Sequence, residues 1–565
     1  MPDPASPQDA GPAGPAEPTG PTEPAGPIRP AKPTGPTQPA KPTGPTQPAE
    51  PTGPTEPTQP VARLRQAMAA GTLTSAALTA RCLDRIAELN PRLRAVITVS
   101  PEAAAEAAAR DQQRNHSSGP LHGIPVLIKD NIAVTGLPAT AGSPALLGAE
   151  TGDAFLVSRL RQAGAVILGK ANLSEWANFR STQSSSGWSS LGGQTGNPHA
   201  LDRNPSGSSS GSGAAVAAGL APLAVGTETD GSIVCPASAC GVVGIKPTLG
   251  LVSRTGIVPI SAAQDTAGPM ARSVADAAAL LAVMAAADPD DPAASASPFN
   301  DGRSSPPADY RAALDPAALA GARIGVWRAG SAAASATIGA VLDQAVAQLR
   351  AQGAVVIDPV ELPDAEKIGI PEFGALLPEF RHDLEAYLAG RPGVQHATLT
   401  DLIGFNQRNA GLVLARFGQE VFERAAAVSG DLTDPGYRTL RAEAAALARG
   451  AVETPLVTHG LDAIFSLTAC PAWLTDYALG DHDVFHTSTP AAVGGFPAVT
   501  LPFGYVWGLP VGVSFMGPRW SEQRLIGLAY AFEQAALADP ARAAAPPPPH
   551  VSTGAPPRLA ESLAP

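Results

Sequence analysis

Cysteine is scarce: the 565 residues hold four, Cys82, Cys235, Cys240 and Cys470. They are too few and too scattered for a disulfide framework. No pair has metal-binding spacing, since Cys235 and Cys240 stand five apart. Basic charge is short as well. Lys and Arg number 38 against 50 Asp and Glu, a net charge of −12. That balance excludes the basic footprint of a nucleic-acid binder. No apolar run reaches the roughly 18 residues that a membrane span takes. The opening Met-Pro-Asp-Pro-Ala-Ser has neither a basic n-region nor an apolar h-region, so no secretory leader is expected. The expected compartment is the cytoplasm.

Proline, by contrast, is abundant and unevenly spread. Of 60 prolines, 20 fall in residues 1–60, and from Pro12 to Pro60 every third residue is one. A polyproline II helix has three residues per turn, so these prolines would share one face. Glycine does not keep the same period, which excludes collagen. The segment offers nothing to bury and reads as an extended, disordered tether, as does the proline-rich tail at 541–565. A docking ligand for SH3-like grooves is the other reading of the repeat. Between the two lie residues 61–540, enough chain for one large core.

Within that core, helical spacing of apolar residues runs over 61–90, with Thr74 before Ser75 as a helix start. Gly123-Ile124-Pro125-Val126-Leu127-Ile128 reads as a buried strand ending at Lys129. Residues 155–163 read as helix and Ala165–Leu168 as a further strand. Alternation of this kind indicates an α/β core. Residues 290–450, rich in Ala, Leu, Glu and Arg, read as a mainly helical insertion, with segments at 334–352, 376–389 and 403–427. Short strands return at 463–465 and 498–501, and a helix at 521–537 closes the fold.

The most unusual stretch is 204–248. Asn204-Pro205-Ser206-Gly207-Ser208-Ser209-Ser210-Gly211-Ser212-Gly213 leads into a short helix, and Gly226-Thr227-Glu228-Thr229-Asp230-Gly231-Ser232-Ile233-Val234-Cys235-Pro236 follows. A serine-glycine run is ordinarily a flexible linker, but this one lies between apolar core segments. Residues 207–211 satisfy the G-x-S-x-G nucleophile elbow, yet that motif needs a hydrophobic strand running into the turn. Asp202-Arg203-Asn204-Pro205-Ser206 is polar and proline-broken instead. Gly164 to Lys170 approaches a P-loop, but Ala171 replaces the magnesium-binding Ser or Thr, and the middle of the motif is an apolar strand.

Together these segments resemble the amidase signature family. The serine-glycine loop, the 24 positions from Ser208 to Ser232, and Gly241-Val-Val-Gly-Ile-Lys-Pro-Thr248 carry the similarity. Gly123-Ile-Pro-Val-Leu-Ile-Lys129-Asp130-Asn131 and Gly508-Leu-Pro-Val-Gly-Val-Ser-Phe-Met-Gly517 extend it over most of 61–540. Thr227–Pro236 and Gln264–Ser273 look closest to the bacterial peptide amidases. The resemblance implies a Ser–cis-Ser–Lys triad with Ser232 as nucleophile, Ser208 as bridge and Lys129 as base. It also implies a cis peptide bond between Gly207 and Ser208, and an oxyanion hole of the Thr229, Asp230, Gly231 and Ser232 amides. The fold it implies is α/β, a large twisted mixed sheet covered by helices with a mainly helical insertion; no cofactor and no metal are implied. Physical chemistry agrees: a serine needs a base, and a lysine acts as one only when burial keeps it neutral.

Two departures stand out. Asp230 occupies a position where glycine is usual in the family, and Val234 one where arginine is usual. The missing arginine argues against small charged substrates that need a clamp. Asp230 and Arg180 are the candidate substrate-binding residues, with Asn131 and Trp176 as further pocket candidates. Asp265 with Thr266 reads as a turn-fixing pair, and Cys235 as a small packed residue. The expected function is hydrolysis of carboxamides to carboxylate and ammonia or amine through an acyl-enzyme, with C-terminal peptide amides or amino acid amides as substrates. The alternatives are a glutaminase-type amidotransferase subunit that supplies ammonia to a partner, and a non-catalytic proline-rich scaffold. No nucleic-acid or membrane partner is expected.

Overall fold

The computed structural model describes residues 56–539 apart from 114–118, 150, 297–308, 329 and 331–333. The proline-rich segments expected at 1–60 and 541–565 lie outside the described residues, except for 56–60. Of those five, Pro57 is buried, and the Arg272 guanidinium donates to the Pro57 and Thr58 carbonyls. Among the described residues no helix is long and apolar enough to cross a membrane.

Eleven strands form one mixed sheet. In chain order they are Val96–Val99 (β1), Pro125–Lys129 (β2), Val166–Ala171 (β3), Leu223–Glu228 (β4), Val243–Lys246 (β5), Thr266–Ala271 (β6), Arg323–Val326 (β7), Val355–Ile357 (β8), Ala463–Leu467 (β9), Ala498–Val506 (β10) and Leu509–Met516 (β11). Across the sheet they run β1-β3-β2-β4-β6-β5-β10-β11-β9-β7-β8. Strands β2, β3 and β4 are buried at every residue, which explains why 123–128 and 165–168 read as unbroken apolar runs rather than alternating ones. β2 pairs in parallel with both β3 and β4, with Ile128 opposite Val225. Parallel neighbours end at the same edge of the sheet, so Lys129 and the loop after Glu228 emerge side by side.

The helical stretch at 61–90 is two helices, Val61–Ala69 and Ser75–Leu93. Thr74 caps the second, its hydroxyl accepting the Ala77 N–H at 3.0 Å. The insertion is mainly helical but also carries two strands. Between its helices it supplies β7 and β8, which extend the sheet beyond β9 in parallel. Gly369–Ala389 (α3), Leu399–Arg408 and Glu420–Ala427 gather a separate apolar cluster around Phe380 and Phe422, packed on Trp176, Phe179 and Ile260. Pro435–His459 (α4) runs alongside α3.

The serine-glycine run is not a linker. Ser210–Ala217 (α1) is a helix buried at all eight positions. Its hydroxyls and that of the preceding serine are each taken by a backbone carbonyl: Ser209 by Thr227, Ser210 by Ser206 and Ser212 by Val225. Small residues are required because neighbouring backbones press in. A Cβ on Gly211, for example, would collide with the Ala95 carbonyl and the Asn172 backbone.

Candidate active site

Lys129 ends β2 with its side chain fully buried. Its Nζ lies 2.8 Å from Ser208 Oγ, 2.9 Å from Ser209 Oγ, 2.9 Å from Thr227 Oγ1 and 3.1 Å from the Thr227 carbonyl. No carboxylate forms an ion pair with it among the described residues. Burial holds the amine well below the ordinary lysine range, and the more distant charges of Glu228 and Asp265 only partly oppose this.

The hydrogen-bond network assigns the protons. The Thr227 carbonyl can only accept. The Ser209 hydroxyl donates to that carbonyl at 3.0 Å and accepts the Thr227 N–H at 3.2 Å. Thr227 Oγ1 also accepts from Asn131 Nδ2 at 3.0 Å. The Ser208 hydroxyl has no partner but Lys129 among the described residues. The Ser209 proton is thus committed to the Thr227 carbonyl, while those of Ser208 and Thr227 remain available to the lysine lone pair, and of these two only Ser208 belongs to the serine loop joined to Ser232. The Gly207–Ser208 peptide bond is cis.

Ser232 lies on the loop after β4 and opens into a cavity of about 230 Å³ that Gly207, Thr229, Asp230 and Gly231 also line. The serine loop and this loop are joined by the Ser209 N–H donating to the Ser232 carbonyl at 3.1 Å. No hydrogen bond runs directly between the Ser208 and Ser232 hydroxyls here. Such contacts commonly tighten only once substrate is bound.

The N–H groups of Thr229, Asp230, Gly231 and Ser232 donate to no described residue, whereas the next two do. Ile233 and Val234 N–H both donate to Glu228 Oε2, at 2.7 and 3.1 Å, at the start of the helix Val234–Cys240 (α2). Gly231 takes φ +76°, and a Cβ there would meet Cys235 Sγ at 2.9 Å and Ser488 Oγ at 3.0 Å. The turn thus needs glycine for both conformation and space. Thr229 is anchored by its hydroxyl, which donates to Asp265 Oδ1 at 2.6 Å. The other oxygen of Asp265 accepts the Ile260 and Ser261 N–H groups at 2.7 and 2.9 Å, so this residue does fix a turn. Burial pushes its carboxyl up to about 6 against those hydrogen bonds. Burial likewise raises the Cys235 thiol, aided by nearby acidic charge, and keeps it protonated and unreactive.

The two substrate-binding candidates separate. Asp230 lines the cavity, but its carboxylate is already held by Ser488 Oγ and Thr489 Oγ1, each donating at 2.6 Å. Arg180 is not brought to the cavity. It is fully buried, donates to the Val413 carbonyl at 2.6 Å and stacks 4.4 Å over the Phe417 ring. Its own carbonyl accepts the Val421 N–H at 3.1 Å. Arg180 therefore pins the insertion to the core rather than facing a ligand. Asn131 reaches Thr227 rather than the main cavity, and Trp176 packs edge-on against Phe422 at 5.4 Å.

Several cavity and support residues had no local signal. Phe179, Ile260, Leu376 and Trp473 form apolar wall, and Asp481, Asp483 and His486 polar wall. Asp481 accepts the Ser186 N–H at 3.0 Å, and burial pushes its carboxyl up. Ser209 and Thr227, which hold Lys129, were visible only as neighbours of the motif residues.

Comparison with known proteins gives a consistent picture. A family model described as Amidase matches residues 77–526. A probable amidase of Arabidopsis thaliana is 42% identical over 478 residues, covering 82% of this chain and 87% of that protein. The crystal structure of the native peptide amidase from Stenotrophomonas maltophilia is similar with a TM-score of 0.80 and 48% identity, covering 88% of this chain and 99% of that one. A structure of the peptide amidase PAM in complex with the competitive inhibitor chymostatin is similar with a TM-score of 0.82 and 49% identity, covering 87% and 99%.

Proposed function

This chain belongs to the amidase family and hydrolyses amide carbon–nitrogen bonds, and on that premise we propose that Ser232, Ser208 and Lys129 carry the reaction and that peptide amides are its substrates. The observation that carries this reading is the environment of Lys129. A buried amine surrounded by hydroxyls and a carbonyl, with no ion-paired carboxylate among the described residues, has its pKa pulled well below the ordinary lysine range by burial, which favours the neutral form that can accept a proton.

In this scheme Ser232 Oγ attacks the substrate carbonyl carbon. Its proton passes to Ser208 Oγ as the Ser208 proton passes to Lys129 Nζ. The tetrahedral oxyanion lies among the uncommitted N–H groups of residues 229–232, where each donor lowers the barrier by about 3 kcal/mol. The C–N bond then breaks, and the departing nitrogen takes a proton back from Lys129 through Ser208. Water hydrolyses the Ser232 ester by the same relay and leaves a carboxylate. Apolar walls at Phe179, Ile260, Leu376 and Trp473 beside a polar wall suit a peptide, with its alternating side chains and amides. The similarity to peptide amidases at 48–49% identity supports the same class.

The test is Ser232→Ala, assayed on aliphatic, aryl and peptide amides, with serine-directed fluorophosphonate labelling located by mass spectrometry. The expected outcome is loss of turnover and of the label with the fold intact, and a wild-type preference for peptide amides. Full activity in the variant, or label on Ser209, overturns the assignment.

A further inference from the structure

A buried polar network joins the helical insertion to the loop that carries Ser232. Its hub is Gln264, 3% exposed, next to Asp265 on the segment leading into β6. On one side Gln264 Nε2 donates to the Thr229 carbonyl at 3.3 Å; on the other it donates to Glu372 Oε1 of α3 at 2.9 Å. Its Oε1 accepts from Arg441 Nη1 of α4 at 2.6 Å. The amide can take only this orientation. A flip would set its N–H groups against the guanidinium and its oxygen against the Thr229 carbonyl.

Arg441 is itself fixed. It forms a fork with Glu379 of α3, which also accepts from Tyr437 Oη at 2.7 Å and from Ser261 Oγ at 2.6 Å. Asp383, one turn further along α3, accepts the Ala262 N–H at 2.6 Å. Segment 260–265 is therefore held between two insertion helices and Thr229. Thr229 is gripped twice from that segment, by its hydroxyl through Asp265 and by its carbonyl through Gln264. Its carbonyl belongs to the same peptide plane as the Asp230 N–H. Whatever orients that carbonyl also aims that N–H.

We propose that Gln264 is a positioning residue for amide hydrolysis, through which α3 and α4 aim the Thr229–Asp230 peptide at the substrate oxyanion. The proposal rests on the reading of the 229–232 amides as the oxyanion hole. It gives the insertion a role in the chemical step, because those donors work only when held within about 0.5 Å of their productive positions. Gln264 touches neither substrate nor the reacting atoms and acts only through the peptide plane.

The experiment is Gln264→Met, which keeps the volume and removes the hydrogen bonds. It is assayed on the best amide substrate, together with the dissociation constant of a peptide aldehyde, whose adduct with Ser232 places an oxygen where the oxyanion forms. The expected result is a fall in kcat of about tenfold with KM within about twofold of wild type, and an aldehyde affinity weakened by the same factor as kcat. Arg441→Lys keeps a cation for Glu379 but loses the fork that also reaches Gln264. It is expected to give the same split at smaller size, and it carries the test if Gln264→Met does not fold. An unchanged kcat, a KM increase alone, or a lower melting temperature with wild-type aldehyde affinity overturns the proposal. If Ser232→Ala is inactive and Gln264→Met retains wild-type kcat, this inference alone fails. If Ser232→Ala remains active, the reading beneath it fails.

Discussion

Two lysines on adjacent strands, Lys129 on β2 and Lys170 on β3, are both fully buried, yet they sit in opposite chemical company. Lys170 Nζ donates to the Ile132 carbonyl at 2.7 Å and the Pro138 carbonyl at 2.9 Å, and pairs with the Asp130 carboxylate at 3.3 Å. Every one of those groups can only accept, so the site needs an ammonium. Burial pulls Lys170 down too, but the Asp130 charge and hydrogen bond push back. Lys129 instead faces, beside one carbonyl, three hydroxyls, of which Ser208 and Thr227 keep a proton they can donate to the amine. Burial alone therefore does not make a base. What separates a proton acceptor from a strut is whether the surrounding groups stabilise the amine or only the ammonium.

The sharpest way to break the comparison is to remove each lysine in turn. Lys129→Met is expected to lower kcat/KM by at least about 10⁴-fold, as loss of a member of a nucleophile–base unit does. The fold should survive, since the hydroxyls left behind can bond to one another; kcat/KM alongside a urea midpoint checks both halves. Lys170→Met should do the reverse. It strands the Asp130 carboxylate in the core and costs about 3–5 kcal/mol of stability, read from the same urea transition, while the folded fraction keeps turning over substrate. Asp130→Asn added to Lys170→Met should recover part of that loss, because the unpaired charge is gone. A Lys170→Met variant that is stable but inactive would erase the distinction between the two sites.

The same contrast explains what the sequence made legible. Lys129, the serine loop and residues 229–232 are short contiguous motifs, and the parallel pairing of β2 with β4 brings their ends together. The α/β class followed from apolar runs at β2 and β3, whose full burial leaves no alternation. Contacts made across large separations were not legible. Nothing local indicates that Ser488 and Thr489 take up Asp230, or that Val413 and Phe417 bury Arg180. An arginine near a motif looks like a ligand clamp until the fold supplies its partners. Strands β7 and β8 escaped for a different reason. They are four and three residues long, are the last two strands at one end of the sheet, and sit between helices in an alanine-rich stretch.

A gentler change tests the hydroxyl argument through pH. Lys129 works as a base only when neutral, so protonation as pH falls must remove activity. Its lowered pKa puts the rising limb of kcat/KM well below the roughly 10.4 of an exposed lysine. A flat profile over about pH 5 to 9 would count against Lys129 as the base. Lys170→Met should leave the limb where it is.

Ser209→Ala should move that limb, and the direction is diagnostic. An ammonium carries three N–H groups and an amine two, so losing the Ser209 acceptor costs the charged form more. The lysine pKa then falls further, and the limb shifts to lower pH. Plateau kcat should drop only about tenfold, because Ser208 still offers its proton while the Thr227 N–H loses one partner. A limb that moves up instead would mean that Ser209 had been stabilising the neutral amine, and that Ser209 rather than Ser208 feeds the proton to Lys129.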